Sequence, residues 1–210
     1  MGNSFFSVKS AVTTEIEVKK SKFICNVARV SCDEDAKAFV KEIKKKYADA
    51  RHNCYAYIAD EKGAYMKYSD DGEPSGTAGL PMLEVLKGRG LYCTVAVVTR
   101  YFGGILLGTG GLSRAYSDSV VSALDSAKIV ENVYSNKYNL NIPFNLYKVF
   151  LKWIERRKIL IKSTIFGVDG VSITFATPVD VSQNLNAEIA NLSLGKGVLN
   201  LIESGYEIYE

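Results

Sequence analysis

Cys93-Thr94-Val95-Ala96-Val97-Val98-Thr99-Arg100-Tyr101-Phe102-Gly103-Gly104-Ile105-Leu106-Leu107-Gly108-Thr109-Gly110-Gly111-Leu112 is the stretch on which the fold turns. Its first seven residues are almost all β-branched or apolar, the mark of a strand buried on both faces. A glycine-rich turn interrupts the run. From Leu112 the period changes: Leu112, Ala115, Tyr116, Ser119, Val120, Ala123 and Leu124 recur every three or four residues. That spacing predicts a helix from Leu112 to Ala127.

Upstream, Ile16 and Val18, then Phe23, Cys25 and Val27, alternate as strands do, with Lys19-Lys20-Ser21-Lys22 as a polar turn between them. Ala36, Phe39, Val40, Ile43 and Tyr47 form a helical stripe over Asp33–Tyr47. Asp33, Glu34 and Asp35 at its start and Lys44, Lys45 and Lys46 at its end complement the helix dipole, which explains the lysine run without a ligand. Cys54–Ala59 and Ala64–Tyr68 read as a hairpin, and Leu80–Lys87 as a short helix with Pro81 in its first turn.

Downstream, Glu131–Asn136 is polar and weakly patterned and is expected to divide residues 1–134 from residues 135–210. Beyond it the order is strand, helix, strand, strand, helix, strand, with Gly167-Val168-Asp169-Gly170 joining the middle strands. That is the β-α-β-β-α-β ferredoxin-like arrangement. Trp153, on a stripe with Val149 and Phe150, is expected in its core. The fold class expected is therefore α+β in two domains.

Composition places the chain among ordinary globular proteins: 210 residues, 47% hydrophobic and 23% charged. Net charge is +3; residues 138–210 hold seven basic and seven acidic side chains, so the excess sits in the first 137. That asymmetry permits an anionic partner there. Cys25, Cys32, Cys54 and Cys93 contain no C-x-x-C pair and His52 is the sole histidine, so reduced thiols are expected and no metal. The N-terminal segment lacks secretory and myristoylation patterns, and no stretch approaches the ~20 apolar residues of a membrane helix. A cytoplasmic protein without membrane attachment is the expectation.

Two segments carry candidate chemistry. Asp70-Asp71-Gly72-Glu73-Pro74-Ser75-Gly76-Thr77-Ala78-Gly79 packs three carboxylates, two hydroxyls, three glycines and a proline into ten residues. It reads either as a shaped loop approaching a ligand or as an elaborate turn capping the next helix. In the second segment Arg100 and glycines 103, 104, 108, 110 and 111 lie between strand and helix, where backbone N–H groups can bind an anion. The spacing is no nucleotide motif: Gly108-Thr109-Gly110-Gly111-Leu112-Ser113 lacks the last glycine of the dinucleotide fingerprint, and no Gly-Lys-Ser/Thr follows. No cofactor is expected. His52 is either a hydrogen-bonded structural residue or a general base, with Ser75, Thr77 or Cys54 as nucleophile and Asp70, Asp71 or Glu73 as orienter.

Arg51-His52, the Asp70–Gly79 loop with Pro81, and Val97-Val98-Thr99-Arg100-Tyr101-Phe102-Gly103-Gly104 through Gly110-Gly111-Leu112 resemble the YigZ/IMPACT family, as do Ser21-Lys22-Phe23-Ile24 and Arg114-Ala115-Tyr116. The resemblance implies an N-terminal domain similar to domain two of ribosomal protein S5. With the ferredoxin-like domain it looks like the last two domains of translation elongation factor G. It further implies a translation-associated regulator whose N-terminal domain binds RNA, the ribosome or a protein partner. Arg100, Arg114, Lys20 and Lys22 would then contact phosphates, and Tyr101 or Phe102 would stack on a base unless they pack in the core. The alternative is a hydrolase or phosphate-ester enzyme built on His52, Glu73 and Ser75.

Overall fold

A computed structural model describes residues 4–157 and 159–209. The chain forms two compact units, one of residues 5–131 and one of residues 132–209 together with Ser4.

The first unit contains β1 (Ser4–Val8), β2 (Val12–Val18), β3 (Ser21–Arg29), α1 (Asp33–Lys46), β4 (His52–Ile58), β5 (Met66–Ser69), α2 (Gly79–Gly88), β6 (Thr94–Tyr101) and α3 (Gly108–Ser126). Its main sheet runs β2-β3-β6-β4-β5, antiparallel at every pairing. The apolar run expected to be buried on both faces is the central strand, with every residue from Thr94 to Arg100 buried. Strand periodicity sends Val95 and Val97 to one face, where they pack with Ala36, Val40 and Ile43 of α1. Ala96 and Val98 go to the other face, with Met82 and Leu86 of α2 and Leu112, Ala115 and Tyr116 of α3. Continuing that alternation puts Arg100 on the α2/α3 side at the end of the strand. Its register partners there are Phe23 on β3 and His52 on β4.

Helix α3 starts at Gly108, four residues before the expected Leu112. Glycine disfavours helix, so the Gly108-Thr109-Gly110-Gly111 run reads as loop from propensity alone. In the fold those glycines form the first turn of α3, and Leu107 at its N-cap packs against the core.

The second unit contains most of β7 (Ile129–Ile142), then α4 (Tyr147–Glu155), β8 (Leu160–Phe166), β9 (Val171–Pro178), α5 (Leu185–Ser193) and β10 (Val198–Tyr209). The β-α-β-β-α-β order is as expected; β7 pairs with both β9 and β10, and β9 pairs with β8. Leu140, Ile142, Phe150, Ile154, Ile173, Phe175, Leu185 and Ile189 make the core. Trp153 is partly buried against it and donates its indole N–H to Glu188 at 3.2 Å, whereas Val149, expected beside it, is exposed. Glu131–Asn136 is strand rather than linker. Its fully buried positions include Asn132 and Ser135, so a hydrophobicity pattern is blind to it. No helix among the described residues is long and apolar enough to cross a membrane.

One contact fixes the loop between β6 and α3. A Cβ at Gly103 would lie 2.0 Å from the carbonyl carbon of Lys20, so only glycine lets this loop lie against the β2–β3 turn. Gly104, next to it, has open space around the same position but a φ of +84°. Gly103→Ala is therefore expected to cost about 3 kcal/mol or more, and Gly104→Ala only about 1 kcal/mol, as urea unfolding midpoints would show.

Candidate functional site

The Asp70–Gly79 loop is pinned at three points. The Asp70 carboxylate accepts the backbone N–H groups of Gly76, Ala78 and Gly79 at 2.8–2.9 Å. Partial burial raises its pKa, but those three donors outweigh burial and hold it below the usual carboxylate range. Asp71 reaches outward: its carboxylate accepts the Asn53 N–H at 2.7 Å and the Lys44 ammonium at 2.6 Å. One lysine of the α1 run thus has a specific partner as well as a dipole to complement.

Glu73 points inward. Its side chain is 3% exposed and that of Arg100 8%, and Arg100 Nη1 donates to Glu73 Oε1 at 2.8 Å. The Tyr116 hydroxyl of α3 donates to the same oxygen, also at 2.8 Å. Cys54 Sγ lies 3.4 Å from that hydroxyl and 2.9 Å from the Asp70 carbonyl, to which it donates. Burial pushes the Cys54 thiol up to about 12, so it stays protonated at neutral pH and is not an activated nucleophile. Burial, then Cys54 and Glu73, push the Tyr116 phenol far above its ordinary range. The Arg100 guanidinium lies between the Phe23 and Phe102 rings, 5.5 and 5.6 Å from their centroids. Its Nε is buried without a hydrogen-bond partner.

Beyond this buried chain lies an open cleft of about 510 Å³. Asp49 and Arg51, from the connection between α1 and β4, line it with His52 at the start of β4 and with Arg100, Tyr101, Phe102 and Leu106. The Tyr101 hydroxyl donates to Asp49 at 2.8 Å. Phe102 is 54% exposed, not packed in the core, and Leu106 is 82% exposed. His52 Nδ1 lies 2.9 Å from the Asp71 carbonyl oxygen. A carbonyl only accepts, so Nδ1 carries the proton and, in the neutral ring, Nε2 is an acceptor.

The fold therefore brings together some of the residues singled out from the sequence and separates others. His52 and Arg100 share the cleft. Lys22 pairs in register with Tyr101, and the Lys20 backbone touches Gly103. Lys22 also meets Glu15 at 3.1 Å, an exposed pair of little energetic weight. The Gly103 N–H is taken by Ser21 Oγ at 3.1 Å. Gly110 and Gly111 belong to the α3 helix, and Arg114 stands exposed on it. Gly72, Pro74, Ser75 and Gly76 form the exposed crest of the loop, while Thr77 is buried and donates its hydroxyl to the Pro74 carbonyl at 2.6 Å. Ser75 does not line the cleft, and Glu73 is bound to Arg100 and Tyr116 rather than to His52. The trio His52, Glu73 and Ser75 does not assemble. Sequence reasoning missed the cleft roles of Asp49 and Leu106 and the Cys54–Tyr116 link. The register of β4 against β6, which sets His52 opposite Arg100, is the signal that would have pointed to Arg51 and Asp49.

The Impact N-terminal domain family matches residues 19–124, which hold the loop, the cleft and α3. A Haemophilus influenzae protein described as an IMPACT family member is 37% identical over 94% of this chain and 96% of its own length. The chain belongs to the IMPACT family. A second family, a domain of unknown function (DUF1949), matches residues 140–196. The Bacillus subtilis IMPACT family member YvyE is 55% identical over 62% of this chain, a match that spans 60% of that relative. The crystal structure of a hypothetical protein superimposes with a TM-score of 0.64 at 35% identity, covering 97% of this chain and 99% of that one. Both IMPACT units thus have counterparts in a single solved chain.

Two stability effects follow. Tyr116→Phe deletes a hydroxyl that Glu73 needs in a buried setting and is expected to cost about 1–3 kcal/mol by urea unfolding. Asp70 has a lowered native pKa, so its stabilisation is present above the unfolded carboxylate range and is lost as pH falls below about 4. Asp70→Asn should lower stability at pH 7 and flatten the loss between pH 5 and 3, read from unfolding midpoints across that window.

Proposed function

We propose that the chain is a cytoplasmic, translation-associated regulator whose first unit binds RNA at the cleft beside the β6–α3 loop. The observation that carries this reading is Phe102. Large apolar side chains at the end of a buried strand ordinarily pack inward, yet this ring is more than half exposed. One guanidinium lies over it, and Arg51, which also lines the cleft, is exposed. An aromatic platform beside exposed cations is the arrangement that takes unpaired bases and their phosphates. Lys20 and Lys22 are exposed at the β2–β3 turn against which Gly103 lies, and the family resemblance supplies the link to translation. Arg100 has a different part here: paired with Glu73, it supports Phe102 rather than gripping phosphate.

Leu106 favours a second reading, in which the same loop docks on a protein. A side chain of that kind at 82% exposure is an anchor for an apolar pocket in a partner.

Fluorescence anisotropy with a structured RNA that carries single-stranded loops, at several salt concentrations, separates the two. RNA binding should weaken as salt rises. Arg51→Ala should reduce the salt slope by about one. Phe102→Ala should cost about 1–3 kcal/mol with the slope unchanged. A salt-insensitive interaction, or none at low salt, would remove the RNA reading. Loss of a protein partner in Leu106→Asp, with RNA binding absent in the wild type, would establish the second.

A further inference from the structure

Resting on the RNA-binding reading, we infer that the cleft is a pocket for one unpaired ribonucleotide, with the base on Phe102, the phosphate on Arg51 and the sugar 2′-hydroxyl donated to His52 Nε2.

The tautomer of His52 is preset by the loop below it. Its Nδ1 donates to the Asp71 carbonyl at 2.9 Å, and that carbonyl cannot swing away. Asp71 has a φ of +41°, and its carboxylate is tied both to the Asn53 N–H and to Lys44. The other ring nitrogen has no hydrogen-bond partner among the described residues, and His52 lines the cleft. An acceptor held in place at the wall of a cleft calls for a hydroxyl or amine donor. On a nucleotide seated there, the 2′-hydroxyl is the donor that distinguishes RNA from DNA.

Size and stacking point the same way. A volume of about 510 Å³ lies within the range of small-ligand pockets, roughly 300–1,000 Å³. It suits a splayed nucleotide and not a stacked helix. Phe102 has one face toward the Arg100 guanidinium, leaving the other for a base. Asp49 is the acidic group of the lining, and the Tyr101 hydroxyl engages it. Its charge opposes that of Arg51, so a single phosphate suits the cleft better than a polyphosphate.

The test is a heteronuclear NMR titration of the full chain with AMP, dAMP and adenosine. AMP should shift the amides of Arg51, His52 and Tyr101 to Gly104, and should bind about fivefold more tightly than dAMP, the worth of one hydrogen bond. His52→Ala should bring AMP and dAMP to equal affinity. Arg51→Ala should bring AMP close to adenosine. Phe102→Ala should weaken AMP and dAMP equally, with the folded state of the variant checked from the dispersion of its amide spectrum. Equal affinity for AMP and dAMP in the wild type, or shifts confined to surfaces away from the cleft, would overturn the inference. In either event salt-dependent binding of structured RNA would leave the broader reading standing, whereas its absence would remove both.

Discussion

Two charges taken almost completely out of water, those of Arg100 and Glu73, set the terms for the rest of the first unit. Each ion loses several kcal/mol of hydration on burial, so such a pair persists only where its geometry and remaining hydrogen bonds are good. Here Glu73 receives both a guanidinium N–H and a phenolic O–H, and two aromatic rings flank the cation. The pair joins four elements that are distant in sequence: the Asp70–Gly79 loop, β6, α3 through Tyr116, and β3 through Phe23. Every residue in that chain is held by a neighbour whose own position depends on it. Asp70 and Asp71 then fasten the same loop to its own backbone, to β4 and to α1.

This arrangement divides the signature residues into two kinds. Glu73, Asp70, Asp71, Gly103 and Tyr116 hold shape through bonds within the protein, and Arg100, bound to Glu73, does so from the wall of the cleft. Arg51, His52, Phe102 and Leu106 face the cleft and have capacity to spare. A rigid interior that presents a few unsatisfied groups lowers the ordering cost of binding. It also explains why so many polar residues cluster in ten positions: most of their hydrogen-bonding capacity is spent within the protein.

Much of the fold was legible because burial followed period. The two-faced apolar run gave the central strand β6, the three-and-four spacing of Ala36 to Tyr47 gave α1, and the element order of the second unit gave its topology. Legibility failed where polar groups were buried or glycines were helical. Asn132 and Ser135 hide a strand behind a linker-like composition, and Gly108 to Gly111 hide the first turn of α3. The site was half legible for a related reason. Residue types singled out two segments that the fold brings together through Arg100 and Glu73, and their family resemblance is matched by membership. Which charges face each other depends on the register of β3, β4 and β6 and on the loop's path. A sequence pattern offers Arg100 to a phosphate, whereas the contact seen in the fold is with Glu73.

Arg100 and Glu73 form one internal brace rather than two independent ligand-binding groups. A double-mutant cycle on unfolding free energy, with Arg100→Met, Glu73→Gln and the double variant, tests this. Strong coupling is expected: each single change leaves its partner buried and unpaired and costs about 3–5 kcal/mol. The double change should cost less than the sum by about 2 kcal/mol or more. Additive effects within about 0.5 kcal/mol would contradict the brace and return Arg100 to the binding surface.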